Sequence, residues 1–296
     1  MATVQELRQR VRAITNTRKL TKAMELVASA RLRRAQERIE AMRPYADRML
    51  ELMAGTARAS ASVRGLPLLQ RRDVATAAIV PVTGDRGLAG AFNAQILRRA
   101  TTLYRELGGQ GIDVRWLPVG RKGISTLRFS RYELDGQWGG FSDNPHYEDA
   151  QSIAHRLTEL YSNVDVDRVV LVYNHFVSPL VQQVTVSDVL PISEHVLETS
   201  DEEREHDRLV GDFIFEPEPE EILERLLPVY LETEIYRALL ESAASEQGAR
   251  MTAMRNASKA AGELIDDLTL AMNRARQAEI TQEILEVVSG ADALTT

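Results

Sequence analysis

Two long, glycine-poor apolar stripes, one at each end of the chain and roughly 170 residues apart, constrain the fold more than any other feature. Between positions 4 and 53 there is no glycine and one proline, Pro44. Apolar residues fall at Val4, Leu7, Val11 and Ile14, and again at Leu32, Ala35, Ile39, Met42, Ala46, Met49 and Met53. This alternation of three and four keeps one stripe on a helix face and implies a left-handed supercoil with a partner helix. At a rise of about 1.5 Å per residue, such a helix is about 75 Å long. Residues 15–24 are polar and predict a solvated break in the stripe. Pro44 should kink the helix or be tolerated at some cost.

The C-terminal stripe runs through Ala257, Ala261, Leu264, Leu268, Ala271, Ala275, Ala278, Gln282 and Leu285. Alanine at so many of these positions lets two helix axes approach closely. The prolines at 217 and 219 suit a helix start. Pro228 predicts a break, giving a short helix and then a long one. Ser289-Gly290 predicts the stop. Pairing the two stripes antiparallel, with the middle inserted at one end, buries both; the alternative is that each pairs with another chain.

The middle has a different texture. Residues 74–82, 112–119, 169–173 and 181–189 read as strands, and 93–107 and 149–161 as helices. Strands alternating with helices of this length predict βαβ units and a mostly parallel sheet. The expected fold class is α/β: an antiparallel coiled coil of terminal helices with an inserted Rossmann-like domain. The expected domains are a coiled-coil helix over 1–57, the α/β domain over 73–191, an acidic connector over 192–219 and a second coiled-coil helix over 220–290. Aromatic residues are only 5% of the chain, which favours helix seams over a thick sheet core.

Net charge is −7, unevenly spread. The first 55 residues hold twelve Lys or Arg against six Asp or Glu, whereas 198–224 is strongly acidic. The two regions should therefore meet different surfaces. The chain has no cysteine, which excludes disulfides, thiolate metal sites, a cysteine nucleophile and thiol switching. No apolar run reaches the roughly 20 residues needed to span a bilayer. The charged, patterned opening predicts no secretory signal.

Candidate chemistry is sparse. Gly84, Gly87 and Gly90 follow the first strand, where a phosphate loop would sit. Their Gly-x-x-Gly-x-x-Gly spacing fits neither a dinucleotide fingerprint nor a P-loop, and glycine also serves any tight strand-to-helix turn. His146, His155, His175, His195 and His206 form no i, i+4 pair and no compact metal set. No Gly-x-Ser-x-Gly elbow is present. No catalytic, cofactor-binding or metal-binding residue is expected. The basic N-terminal helix could track a nucleic-acid backbone, but it lacks interleaved aromatics. A basic coiled-coil scaffold binding nucleic acid is the alternative reading, and an α/β enzyme using the 84–90 loop is a third.

Five segments carry a resemblance. Residues 12–31 resemble the first helix of the γ subunits of F-type ATP synthases, and residues 241–251 and 275–291 resemble parts of that family's last helix. Asp85-Arg86-Gly87-Leu88-Ala89-Gly90 is similar to the family's Asp-Arg-Gly-Leu-Cys-Gly. Residues 213–219, Phe-Ile-Phe-Glu-Pro-Glu-Pro, are similar to its Tyr-x-Tyr-Glu-Pro-Asp-Pro. The resemblance implies a non-catalytic rotor shaft in the central stalk, passing torque from the proton-driven c ring to the catalytic β subunits. It implies as partners three α and three β subunits, the ε subunit and the c ring of the membrane sector, with no cofactor and no nucleic acid. The membrane is reached through partners only, at the cytoplasmic face of the bacterial plasma membrane. By the same resemblance, Met24, Arg250, Arg276, Gln277, Thr281 and Glu283 contact β or couple the two helices near that contact, and Phe215 and Glu216 meet the c ring. Departures from the family pattern are Arg18 for Gln, Ala89 for Cys, Gly248 for Ala, at about 1 kcal/mol in a helix interior, and Glu279 for Ser.

Overall fold

A computed structural model describes residues 3–60, 65–193, 196 and 218–295, with side chains up to residue 289. Helix α1 spans Val4–Ala59. Then come β1 (Thr76–Pro81), α2 (Phe92–Gly109), β2 (Asp113–Trp116), α3 (Arg121–Phe129), α4 (Tyr147–Ser162), β3 (Arg168–Phe176), β4 (Gln182–Leu190) and α5 (Pro219–Thr295). The chain divides into two compact units, a globular one over Ser29–Arg250 and a helical one made of Met1–Ala28 and Met251–Thr296.

The globular unit is built on a four-stranded sheet of order β2-β1-β3-β4. β1 lies parallel to β2 and β3, and β4 antiparallel to β3. The connections dictate this. A helix separates β1 from β2 and long crossovers precede β3, which permits parallel pairing; residues 177–181 are too few for anything but a hairpin. On one face Phe92, Ile96, Ala100, Leu103 and Leu107 of α2, with Leu127 of α3, cover Ala77, Ile79, Val170 and Val172. On the other, α4 and the long helices cover Ala78, Val80, Val169 and Leu171. Within this unit Ser60 Oγ donates to Glu220 Oε1 at 2.7 Å and the Thr233 hydroxyl lies 3.9 Å from Met49 Sδ. The pairing of α1 with α5 there is therefore antiparallel.

Several expectations change. Pro228 does not break α5, which runs through it. Leu223, Leu227, Leu231 and Ile235 bracket the proline and are at most 2% exposed; that burial, about 1.5–3 kcal/mol per side chain, outweighs about 3 kcal/mol for an interior proline. Gly290 does not end the helix, which continues to Thr295. Helix α3 was not foreseen, because it is short and holds only Gly123 and Leu127 buried.

In the helical unit Arg255 Nε donates to Glu25 Oε1 at 3.1 Å. A methyl built on Gly262 would meet the Arg18 guanidinium carbon at 3.5 Å. Seven residues back along α1 are matched by seven forward along α5, so the helices again run antiparallel. The N-terminal stripe is also not interrupted. Thr21, Glu25 and Ala28 are buried, and they continue the spacing from Leu7 to Leu32. The polar stretch occupies the seam instead of leaving it. On α5 the seam is Met251, Met254, Ser258, Ala261, Ile265, Leu268, Met272 and Ala275, all buried or half-buried. Leu264 and Ala271 face solvent instead. This helix carries apolar residues on more than one face, so spacing alone could not choose between two overlapping stripes.

Candidate functional site

At the free end of the helical unit, every residue from Arg276 to Ser289 is exposed. The register explains why. Val4, where α1 begins, lies fourteen residues before Arg18; fourteen residues past Gly262 is Arg276. From there α5 has no α1 beside it. Its last turns nonetheless carry Ile280, Ile284, Leu285, Val287 and Val288, between 47% and 72% exposed. A helix that projects uncovered aliphatic side chains is a surface for a partner. Arg276, Gln277, Thr281 and Glu283 all stand on this projecting segment. The Thr281 hydroxyl donates back to the Gln277 carbonyl at 2.9 Å.

Met24 is half-buried beside the polar part of the seam. Its neighbour Glu25 is buried between cations. Hydrogen bonds from Lys22, then from Arg255, hold its carboxyl below the usual carboxylate range despite burial. A charged pair inside an apolar seam fixes register at some cost in stability. Phe215 and Glu216 lie outside the described residues, as do His195 and His206.

Arg250 is placed differently from the projecting residues: it is 6% exposed, inside the globular unit. Its guanidinium pairs with Glu246 one turn earlier on α5 and donates to the Gly87 carbonyl at 3.3 Å. Its other terminal nitrogen lies 3.8 Å from Asp143. Glu246 is 1% exposed. Burial pushes its carboxyl above the usual range, and Arg250 offsets this only in part. Gln247 Nε2 donates to Asp143 Oδ1 at 2.9 Å, and Arg31 of α1 reaches Asp143 Oδ2 at 2.6 Å. None of Arg31, Asp143, Glu246 or Gln247 was singled out from the sequence. Arg31 and Asp143 are 112 positions apart, and no local signal joins them.

The first two amides of the glycine loop are already engaged within the protein. The Gly84 amide donates to Asn93 Oδ1 and the Asp85 amide to Ser142 Oγ, each at 2.8 Å. A methyl on Gly84 would come within 2.6 Å of the Glu246 carboxylate. The bare glycine lets the Glu246 side chain of α5 lie against the loop. Burial alone would raise the Asp85 carboxyl, but backbone N–H groups of Ser142, Arg121 and Gly140 outweigh it and hold the group low. Of the remaining histidines, His175 Nδ1 meets Glu241 at 2.6 Å and the His146 amide donates to Asp149 at 2.8 Å. No metal-binding cluster occurs among the described residues.

Residues 3–294 match the family model described as ATP synthase. An ATP synthase gamma chain of Rubrobacter xylanophilus is 45% identical over 295 residues, covering 99% of each chain. A chain in the cryo-EM structure of the central stalk and c ring of Tetrahymena thermophila mitochondrial ATP synthase is similar with a TM-score of 0.59 and 27% identity, over 81% of this chain and 99% of that one. A chain in the Euglena gracilis mitochondrial ATP synthase shares the fold at a TM-score of 0.68 and 17% identity, over 98% of this chain and 94% of that one.

Proposed function

The chain belongs to the ATP synthase γ-chain family, and from that premise we propose that it is the torque-bearing shaft of the central stalk. The projecting end of α5 carries this reading: it holds five exposed aliphatic side chains that nothing among the described residues covers. Such a segment fits a sleeve built by other subunits. The sleeve is a hexamer of three α and three β subunits, with the catalytic nucleotide sites on β. The globular unit faces ε and the c ring, and proton flow through the membrane sector turns ring and shaft together.

In this role the chain performs no reaction. It acts by linkage. Each angle of an asymmetric shaft stabilises a different set of β conformations, so shaft angle and nucleotide affinity are coupled, and the coupling is reciprocal. Met24, Arg276, Gln277, Thr281 and Glu283 are the residues we assign to the β contact. Arg250, buried inside the globular unit, couples rather than touches. Phe215 and Glu216 are assigned to the ring.

No helix among the described residues is long and apolar enough to cross a membrane. Attachment runs through the partners, at the cytoplasmic face of the plasma membrane. The basic face of α1 meets protein in this reading, and the matched family lends no support to a nucleic-acid scaffold. The test is co-purification with α and β, followed by imaging of the assembly. One copy inside a three-fold cavity is expected. Recovery without α and β, or tight stoichiometric nucleotide binding by the isolated chain, would overturn the reading.

A further inference from the structure

We propose that Asp143 is a positioning residue for torque transfer, clamping both long helices to the globular unit; the inference rests on the shaft reading above. One carboxylate reaches three elements. Its Oδ2 accepts from Arg31 of α1 at 2.6 Å and lies 3.5 Å from Arg86 Nε in the turn after β1. Its Oδ1 accepts from Gln247 of α5 at 2.9 Å and lies 3.8 Å from Arg250 Nη1. Arg31 and Arg250 stand within the last turn of each helix that belongs to the globular unit, which is bounded by Ser29 and Arg250. A twist applied to the rest of either helix is resisted there first.

Asp143 sits in a loop without regular structure, so it can bear load only if the loop is braced. Asp85 is the brace. Its Oδ2 accepts from the Gly140 and Ser142 amides at 2.8 and 2.9 Å, and its Oδ1 from the Arg121 amide at 3.0 Å. Asp85 follows β1, an interior strand of the sheet. Load therefore has a continuous polar path from the sheet through Asp85 and the 139–143 loop to Asp143, and on to both helices. The chemistry suits the task. Apolar burial is non-directional and lets a helix turn against its bed, whereas charged hydrogen bonds set at different angles around two helices oppose rotation.

The experiment uses the complete synthase in liposomes and as single rotating molecules, with Asp143→Ala, Asp143→Asn, Asp143→Glu and Arg31→Met. Unloaded ATP hydrolysis should stay near the parent rate. Under viscous load or an opposing proton gradient, slips should become about tenfold more frequent, because a hydrogen bond to a charged group shifts an equilibrium by about that factor or more. Asp143→Glu should recover part of the grip. Arg31→Met should share the defect and add little to Asp143→Ala. Asp143→Asn keeps the side-chain shape and serves if the alanine variant assembles poorly. Equal losses with and without load would make the role merely structural and end the proposal. Assembled Asp143→Asn enzyme that holds load like the parent would end it too, with the shaft reading intact. A parent chain that does not assemble with α and β would remove both.

Discussion

Gly84 and Glu246 sit so close that a single methyl on the glycine would lie 2.6 Å from the carboxylate. The carboxylate cannot swing away cheaply, since it is buried and paired with Arg250. Gly84→Ala should therefore destabilise the globular unit by about 1–3 kcal/mol, the cost of overpacking a filled site. Urea unfolding measures it. Combined with Glu246→Ala the cost should be less than additive, because shortening the acid removes the clash.

Arg250→Met should cost more. It leaves Glu246 buried without its cation, and the Gly87 carbonyl without its donor. Breaking a buried pair from one side costs about 3–5 kcal/mol. The same change at Arg225, exposed and paired with Glu221, should stay within about 1 kcal/mol. Equal losses at the two positions, read from the urea midpoints, would remove the special status of Arg250.

Asp85 and Glu246 pull the pH dependence of stability in opposite directions. Asp85 is held below its ordinary value of 3.8 when folded. Its contribution is present above that value and is lost as pH falls through the folded one. Glu246 is held above its ordinary 4.5. Its contribution is present below 4.5 and is lost as pH rises through the folded value. Asp85→Asn should flatten the loss of stability below about pH 4, and Glu246→Gln the decline above about pH 4.5. Unfolding free energies from pH 3 to 7 give both slopes; a Glu246→Gln profile parallel to the parent above pH 4.5 would contradict the assignment.

Gly248 is a further case where the helix rule alone misleads. Gly to Ala inside a helix ordinarily gains about 1 kcal/mol. Here a methyl would meet the Pro179 carbonyl at 3.2 Å and Gln182 Nε2 at 3.3 Å. The glycine lets the β3–β4 hairpin lie against α5. Gly248→Ala should not stabilise the protein, and a Tm raised by several degrees would show that the hairpin yields freely.

What was legible in the sequence followed from local periodicity. The strand at 76–81 declares itself as a nearly continuous apolar run, and the amphipathic helix α2 through side chains that repeat on one face. The N-terminal stripe was visible wherever Leu, Ile or Met filled it. It became invisible where Thr21 and Glu25 took the same positions, because a hydropathy pattern cannot see a seam position filled by a polar or ion-paired side chain. The second helix misled in the opposite sense. Leu264 is as apolar as Ile265, and only the packed partner tells which one faces inward. The clamp at Asp143 was beyond reach for a different reason. Its partners are 57 positions before, 104 and 107 positions after, and 112 positions before it, and nothing local marks them as neighbours.

The projecting end of α5 gives the sharpest separation of stability from function. Removing residues 276–296 takes away a segment whose side chains from 276 to 289 are all exposed and, among the described residues, meet no partner on α1. Surface changes of this kind alter stability by about 0.5 kcal/mol or less, so the urea midpoint of the globular unit should hold. Coupling should not hold. If Arg276, Gln277, Thr281 and Glu283 contact β, their loss removes interactions that differ between β conformations, and those differences are the only currency in which a shaft can bias nucleotide affinity. Proton-driven ATP synthesis in liposomes should fall further than the yield of assembled complex. Synthesis at the parent rate per assembled complex would take these four residues out of the torque path and leave the contact to the paired part of the helices, with Met24 the first residue to test there.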